Sequence, residues 1–349
     1  MAISKELKLK KNETGAVLTA KDGKAVIYAC SSHYYREVCT DFDADFGGNA
    51  YEVLPSFWKD ALQRIDFVGV KKLGTTIDEY NNRCICMNDG GENDCFNAIK
   101  YGIELPSAEK YDTTASIILR ADFLKKIKAS RSFVSTDCKR GLMQVYHFTD
   151  DGKCVATDGR RLSVVTADSA FGKWLCNWTP SADVENKGNI FAEVFDNFDG
   201  KNDIYVFMSE RTDFLKLTDG KITIYTEYDT DNRFPTWQRT IPDVSKDYKS
   251  GTIQNLKKFT DKKLLKVMKG YNNRVIIDNS VAHTVDNIEL CNVSDVLNDY
   301  HIKADYLGSV AELFGDSVAC QYNTADHLKC VVFGNLNADF ALIMPMHKN

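Results

Sequence analysis

Short amphipathic segments followed by alternating apolar and polar residues recur three times along the chain. Apolar residues at helical spacing predict helices over residues 55–65, 190–198 and 304–314. Gly200 and Gly315 follow the second and third of these helices, as expected of a residue that ends a helix. The pattern therefore predicts three similar units of helix followed by sheet.

Alternating residues predict short strands after the second and third helices. The turn Thr218-Asp219-Gly220 separates two of these strands as a hairpin. The predicted strands cover residues 203–208, 213–217, 221–228, 317–322, 328–333 and 340–344. Helices and strands mix without a regular βαβ rhythm, which indicates the α+β class.

Two further helices are predicted over residues 122–130 and 256–269, each with lysines opposite an apolar face. In the second of them, lysines at 258, 262, 266 and 269 recur at i, i+4, i+8 and i+11. The chain has a net charge of −5, yet residues 5–13, 120–131 and 257–269 are each net positive. An acidic body with confined basic segments suggests one face that contacts phosphate groups.

The length and composition limit the classes to which this protein can belong. The chain has 349 residues, enough for two or three domains. The chain has 11 scattered cysteines, an odd number that would leave one unpaired in a secreted protein. Reduced thiols explain this number most simply, which predicts a cytoplasmic location. We find no apolar run of about 18 residues and no secretory signal at the start, and therefore expect no membrane partner.

Three motifs carry a resemblance to a known family. Residues 154–165 read Cys-Val-Ala-Thr-Asp-Gly-Arg-Arg-Leu-Ser-Val-Val, residues 233–242 read Arg-Phe-Pro-Thr-Trp-Gln-Arg-Thr-Ile-Pro, and residues 341–346 read Ala-Leu-Ile-Met-Pro-Met. In order and spacing they resemble the Ala-Thr-Asp-Gly-His-Arg-Leu, Phe-Pro-Asp-Tyr-Arg-Arg-Val-Leu-Pro and Val-Val-Met-Pro-Met segments of the bacterial DNA polymerase III beta subunit. The chain resembles a diverged member, of bacterial or phage origin, with Arg160 in place of the usual His and with residues 1–114 matching poorly.

The resemblance implies the DNA clamp fold. Each of three domains would pack two helices on antiparallel sheets, with boundaries at residues 1–113, 114–243 and 244–349. Two protomers would close head to tail into a homodimeric ring around duplex DNA. The ring would need no cofactor, would not be an enzyme, and would lie at the nucleoid, or in the host cytoplasm if the chain is encoded by a phage.

Two sets of site residues follow from the resemblance. Lysines and arginines would face the DNA without reading its sequence: Lys125, Lys126, Lys128, Arg131, Lys139, Arg140, Lys258, Lys262, Lys266 and Lys269. A groove would bind an extended peptide of the replicative polymerase or of the clamp loader. Its residues would be Leu142, Thr157, Gly159, Arg160, Arg161, Leu162, Pro235, Arg239, Thr240, Leu342, Ile343, Met344, Pro345 and Met346.

Other interpretations remain open at this stage. Residues 41–52 carry acids at four positions of a calcium-binding loop but have Phe46 where glycine is needed, so they are expected to form an acidic loop. Cys84 and Cys86 are expected on one side of a strand rather than as zinc ligands. The rival functions are a metal-dependent nucleic-acid enzyme and a phage structural protein on a clamp-like fold.

Overall fold

The chain forms two compact units, each built from two stretches of sequence. Met1–Ile118 and Asn197–Tyr228 form the first unit, and Leu119–Asp196 and Asp229–Asn349 form the second. The division into three domains after residues 113 and 243 stays a prediction. The computed structural model describes residues 8–56, 58–59, 72–77, 83–87, 95–97, 99–100, 116–166, 169–177, 188–209, 214–227, 234–294 and 296–347.

The first unit is a mainly antiparallel sheet. Its strands are β1 (Gly15–Lys21), β2 (Lys24–Cys30), β3 (Tyr34–Asp45), β4 (Tyr51–Val53), β5 (Lys72–Ile77), β6 (Arg83–Met87), β7 (Cys95–Asn97), β8 (Ile99–Lys100), β14 (Ile204–Met208), β15 (Phe214–Thr218) and β16 (Thr223–Glu227). They run in the order β8-β4-β1-β2-β3-β16-β15-β14, and a branch β5-β6-β7 begins with β5 parallel to β3. Strand β9 (Ile117–Leu119) follows where the chain passes into the second unit.

Strands β1 and β2 are apolar on both faces of this sheet. Leu18 and Ile27 belong to one buried cluster, whereas Val17 and Val26 belong to another. A two-residue turn at Asp22 and Gly23, with φ values of 52° and 74°, joins the two strands. Both residues of a type I′ hairpin turn need positive φ, which is why an Asp-Gly pair favours this connection.

A buried ion pair attaches residues 8–13 to strand β3. Arg36 Nε and Nη2 donate to the two carboxylate oxygens of Glu13 at 2.7 and 2.8 Å, and these side chains are 5% and 0% exposed. Arg36 Nη2 also donates to the carbonyl of Lys8 at 3.0 Å. The bidentate geometry and the added hydrogen bond offset the desolvation of both charges.

The prediction of an acidic loop over residues 41–52 is wrong for residues 41–45, which belong to a strand. Asp41, Asp43 and Asp45 lie on strand β3 with exposed side chains, while Phe42 and Ala44 between them are buried. The period of two is that of a half-buried strand, and the turn begins only at Phe46. Cys84 and Cys86 lie on strand β6, as predicted, with Cys84 buried and Cys86 half-buried. The predicted helix over 55–65 is helical at residues 55–56 and 58–59, and the rest of it lies outside the described residues.

The second unit contains two antiparallel sheets. Its strands are β10 (Val145–Phe148), β11 (Lys153–Thr157), β12 (Arg161–Thr166), β13 (Asn189–Phe191), β17 (Tyr248–Ile253), β18 (Arg274–Asp278), β19 (Val281–His283), β20 (Glu289–Asn292), β21 (Tyr300–Lys303), β22 (Val318–Asn323), β23 (Val331–Gly334) and β24 (Phe340–Ile343). One sheet has eight strands in the order β13-β10-β11-β12-β24-β23-β22-β17, and the other has four in the order β20-β19-β18-β21.

Helices in the second unit pack on these sheets. The α-helices are α1 (Ala121–Ala129), α2 (Ser169–Asn177), α3 (Ala192–Phe195), α4 (Lys262–Met268) and α5 (Ala304–Phe314). The 3₁₀ helices are Arg131–Phe133, Cys138–Met143, Trp237–Thr240, Leu256–Thr260 and Lys269–Tyr271. The rings of Phe123 on α1, Phe171 on α2 and Phe195 on α3 contact Phe148 on β10, with centroids 5.2 to 6.3 Å apart. With helices packed on antiparallel sheets, the predicted α+β class is confirmed.

Helices α1 and α5 confirm the helices predicted over residues 122–130 and 304–314. The helices predicted over residues 190–198 and 256–269 are wrong in part. The segment 190–198 begins in strand β13 and contains only the one-turn helix α3. The single helix predicted over 256–269 is a 3₁₀ helix, helix α4 and a second 3₁₀ helix. Asp261 separates the first two, because it has extended backbone angles and its side chain accepts the Lys263 N–H at 2.8 Å.

Candidate functional site

A tight turn after strand β11 carries the Thr-Asp-Gly motif. Thr157 Oγ1 accepts the Gly159 N–H at 3.0 Å, and Asp158 Oδ1 accepts the N–H groups of Arg160 and Arg161 at 2.9 and 3.0 Å. Gly159 has a φ of +84°, a conformation that residues with a Cβ atom rarely adopt. Side chains of the motif therefore fix the turn, and Arg160 is exposed next to it.

The turn leads directly into the strand that pairs with the end of the chain. Leu162 on β12 lies opposite Leu342 on β24, and Arg161 lies opposite Ile343. Two motifs that are about 180 residues apart in the sequence thus become neighbours in one sheet. The third motif packs beside them, since Phe234 and Trp237 belong to the same buried cluster as Leu162 and Leu342.

A groove of about 350 Å³ lies where these three motifs meet. Most of its exposed wall is apolar, with Leu162 5% exposed at its base and Met344 49% exposed at its edge. Apolar walls with a few polar groups are typical of sites that bind peptide side chains. Its lining residues are Met143, Thr157, Gly159, Arg160, Arg161, Leu162, Pro235, Thr236, Trp237, Thr240, Cys330, Leu342 and Met344.

The groove brings together most, but not all, of the residues that the sequence assigned to it. Thr157, Gly159, Arg160, Arg161, Leu162, Pro235, Thr240, Leu342 and Met344 are among its lining residues. Arg239, Ile343, Pro345 and Met346 are not, and Ile343 is fully buried because it points to the other face of strand β24. The backbone of Leu142 belongs to the 3₁₀ helix Cys138–Met143, and its side chain lies outside the described part of the structure.

Four lining residues were absent from the sequence prediction: Met143, Thr236, Trp237 and Cys330. Thr236 and Trp237 lie inside a motif that was already identified, so the sequence contained the signal for them. Cys330 directly precedes strand β23. It reaches the groove because β23 pairs with β24, and no local sequence pattern reveals this pairing. Burial raises the pKa of its thiol, so the neutral thiol lines the groove as a small apolar group.

Arg161 connects the turn to helix α5. Its Nε lies 2.9 Å from Asp158 Oδ2, and its Nη1 donates to Ser309 Oγ at 2.6 Å. Its guanidinium also lies 4.5 Å from the centre of the Tyr306 ring. An arginine that is held by a carboxylate, a hydroxyl and an aromatic face positions the groove wall.

His147 supports the other wall of the groove. Its ring stacks on Phe234 with centroids 4.6 Å apart and an interplanar angle of 10°, and its Nδ1 hydrogen-bonds with the side-chain oxygen of Asn189 at 2.9 Å. Burial lowers the pKa of His147, although the contact with Asn189 partly opposes this shift. The neutral ring therefore packs under the segment that contributes Pro235 and Trp237.

Six of the eight lysines predicted to face DNA, all except Lys139 and Lys269, lie on three helices that pack against the same element. Helix α1, helix α4 and the 3₁₀ helix Leu256–Thr260 each contact α5. The approach of Leu256–Thr260 is so close that a Cβ atom on Gly308 would lie 2.5 Å from the Phe259 carbonyl oxygen. The lysine-bearing helices therefore belong to one helical layer built around α5.

Most of these basic side chains are accessible. Lys125, Lys126, Lys139, Arg140, Lys258, Lys262, Lys266 and Lys269 are exposed, and Lys128 and Arg131 are half-buried. Some of the charges are engaged within the unit: Lys126 Nζ lies 2.8 Å from Asp339, Arg131 Nε lies 3.0 Å from Asp196, and Arg140 Nε lies 3.8 Å from Asp137. Arg140 Nη1 donates to the carbonyl of Asp158 at 2.8 Å, which places Arg140 beside the groove turn.

Neither a metal cluster nor a membrane span is found in the described ranges. No three residues among His, Cys, Asp and Glu are placed there to hold a metal ion. No helix there combines the length and apolar character needed to cross a bilayer.

Comparison with solved structures identifies the fold. No protein-family model matches the sequence, and no curated protein matches it. The chain is similar to the DNA polymerase III subunit beta of Borrelia burgdorferi, with 17% identity over 99% of this chain and 96% of that one and a TM-score of 0.63. It is also similar to the DNA polymerase sliding clamp of Bacillus subtilis, with 13% identity, 100% and 96% coverage and a TM-score of 0.64. The DNA polymerase III beta chain of Streptococcus pneumoniae gives 16% identity, 99% and 96% coverage and a TM-score of 0.64. The chain therefore has the sliding-clamp fold of the DNA polymerase III beta subunits.

Proposed function

We propose that this protein is a DNA sliding clamp that closes around duplex DNA as a head-to-tail homodimer and tethers a replicative polymerase. The observation that carries the proposal is the likeness to sliding clamps over nearly the whole length of both chains. A likeness that spans all of a clamp supports the function of the whole ring better than a shared domain would. A clamp loader as partner and a cytoplasmic location belong to the same proposal.

Contact with DNA is supported by the lysines around helix α5. Exposed lysines on α1 and α4 present hydrated ammonium groups that attract phosphate and read no bases. Binding of this kind weakens as salt rises and allows movement along the duplex. Topology, rather than tight contact, would then hold the ring on DNA.

Peptide binding is supported by the apolar groove of the second unit. Leu162, Leu342 and Met344 offer a surface for an apolar side chain of an extended peptide, and methionine adapts to different anchors. Polymerase and clamp loader would compete for this surface. The groove residues that the sequence assigned, including those outside the lining set, remain part of the proposal.

The decisive experiment separates topological from ordinary binding. The protein is incubated with its clamp loader, ATP and nicked circular DNA, because a closed ring must be opened before it can enter a circle. The complex is isolated by gel filtration at moderate salt and then treated with a restriction enzyme that linearises the circle. A closed ring remains on the circle and leaves after linearisation, since it slides off the ends. Equal retention on circular and linear DNA contradicts the proposal.

The same samples distinguish the two rival functions. A metal-dependent nucleic-acid enzyme degrades the circle when Mg²⁺ or Mn²⁺ is added, whereas a clamp leaves it intact. A structural protein on the same fold neither stays on circles selectively nor lengthens the products of the cognate polymerase on primed circular DNA. The mass in solution measures the dimer directly, because two chains of 39.3 kDa are expected.

A further inference from the structure

A second concave surface lies beside the groove and is rich in arginine. It has a volume of about 270 Å³ and is lined by Arg131, Arg140, Arg160 and Arg161 together with Asp137 and Asp158, among others. Arg160 and Arg161 line both this arginine cleft and the groove. The two surfaces are therefore continuous, one apolar and the other basic.

The two aspartates of the arginine cleft are engaged within the protein. Asp158 accepts two backbone N–H groups with one oxygen and the Arg161 side chain with the other. Asp137 caps the 3₁₀ helix that follows it by accepting the Lys139 N–H at 3.0 Å, and its second oxygen lies 3.8 Å from Arg140 Nε. Neither carboxylate is placed to neutralise a further arginine.

The four arginines differ in how far their charges are satisfied. Arg161 is paired with Asp158, and Arg131 is paired with Asp196 at 3.0 Å. Arg140 gives one N–H to a backbone carbonyl. Arg160 is exposed, and among the residues that the structure describes its guanidinium has neither an ion pair nor a hydrogen bond. Its backbone is nevertheless fixed by Asp158, so this available charge has a defined position.

We infer that the peptide bound in the groove carries a carboxylate beside its apolar anchor, and that Arg160 pairs with it. This inference rests on the proposed function of the groove. A guanidinium can donate two parallel N–H groups to a carboxylate. Arg140 also lines the arginine cleft, but its Nε lies 3.8 Å from Asp137 and its Nη1 donates to the carbonyl of Asp158, so the available charge is that of Arg160. An acidic residue next to an apolar anchor matches the basic and apolar surfaces in one short segment.

A peptide fits this pair of surfaces better than the phosphate backbone of DNA does. The arginine cleft opens into a wall of leucine, methionine and proline side chains, which a phosphate backbone cannot use. A peptide can place an apolar side chain and a charged one within a few residues of each other. The partner is thus an acidic-hydrophobic peptide, and DNA contact at Arg160 becomes an outcome to be tested.

Matched peptides test the inference by fluorescence anisotropy on the full-length protein. Four fluorescein-labelled decapeptides share a Leu-Leu-Phe anchor; two carry Glu-Glu before or after it, and two carry Gln-Gln at the same places. We expect one Glu peptide to bind about tenfold more tightly than its Gln twin at low salt, with a smaller ratio at 0.5 M salt. Arg160→Gln should abolish the ratio, because its affinity for the Glu peptide falls to that for the Gln twin.

The control variant is Arg120→Gln, which removes an exposed arginine of the same unit that lines neither surface. It should keep the tenfold ratio. Equal binding of the Glu and Gln twins to the wild-type protein overturns the inference and leaves the groove proposal intact. Failure of all four peptides to bind overturns both. If Arg160→Gln weakens DNA binding but leaves the peptide ratio unchanged, the arginine binds phosphate and the inference is wrong.

Discussion

At the scale of single residues, side chains in the groove combine structural and binding roles in different proportions. Leu162 is 5% exposed and belongs to the buried cluster that joins three motifs, whereas Met344 is 49% exposed at the groove edge. Removing either shortens the apolar wall of the groove. Only the loss of Leu162 also leaves a cavity in the core.

This contrast predicts different stabilities for two variants with similar binding defects. Leu162→Ala should lower the free energy of unfolding by about 3 kcal/mol, and Met344→Ala by less than about 1 kcal/mol. Both should weaken peptide binding by about tenfold or more. Urea denaturation and fluorescence anisotropy measure the two quantities, and a full-affinity Met344→Ala variant would remove the groove from the binding surface.

A second prediction at this scale concerns pH and His147. Burial lowers the pKa of His147 below its usual 6.5, so the unfolded chain takes up a proton there before the folded chain does. The neutral ring contributes stability above pH 6.5, and this contribution is lost progressively as the pH falls below it. His147→Phe keeps a ring against Phe234 but cannot titrate.

We therefore expect the wild-type protein to lose more stability than His147→Phe between pH 7.5 and 5.5. The difference should be at most about 1.4 kcal/mol, because pH 5.5 lies one unit below the ordinary pKa of 6.5 and each unit corresponds to about 1.4 kcal/mol. Chemical denaturation at the two pH values measures it. A loss of equal size in both proteins would show that His147 does not contribute to the acid sensitivity.

At the scale of elements, the sequence predicted helices best where one apolar face ran without interruption. The face of α5 is continuous from Tyr306 to Val310, and its predicted bounds match the structure. The segment 256–269 looked equally regular because its lysines keep helical spacing across Asp261. The spacing of side chains does not reveal that one helix ends at Asp261 and that the Asp261 side chain caps the start of the next.

The same limit explains the other local errors and the partial site prediction. Residues 41–45 alternate between polar and apolar side chains, as a strand does. Their aspartates are spaced as in a calcium-binding loop, and the loop was predicted because the aspartates were given more weight than the alternation. Residues 189–191 pair with β10, which is a tertiary choice that local propensity does not contain. Cys330 joined the groove through the order of the strands, whereas the groove residues on the three motifs were predictable because motifs are local.

The helix start at Asp261 gives a prediction at the element scale. Asp261→Ala removes the side chain that accepts the Lys263 N–H and should lower the free energy of unfolding by about 1 kcal/mol. Asp261→Asn keeps an accepting oxygen and should lose only a small part of this. Urea denaturation compares the variants, and equal losses would indicate that the charge, rather than the cap, stabilises α4.

At the scale of the whole molecule, the net charge argues against DNA binding, whereas the local charge of the helices around α5 favours it. The chain carries −5 overall, which disfavours DNA, whereas the helices that pack on α5 carry a local excess of lysines. If DNA lies along that helical layer, lysines on α4 should matter more than lysines elsewhere with the same charge. The distribution of charge, and not its sum, would then set the affinity.

The double substitution Lys262→Gln and Lys266→Gln tests this on α4. It should weaken binding to duplex DNA and reduce the slope of log affinity against log salt by about 2, since each lysine releases about one counterion. The matched control replaces Lys246 and Lys249, two exposed lysines at and beside strand β17, and changes the net charge equally. Titrations at several salt concentrations give both slopes. If the control lowers the slope as much as the α4 variant does, DNA responds to the total charge of the protein and the helical layer around α5 is not its contact surface.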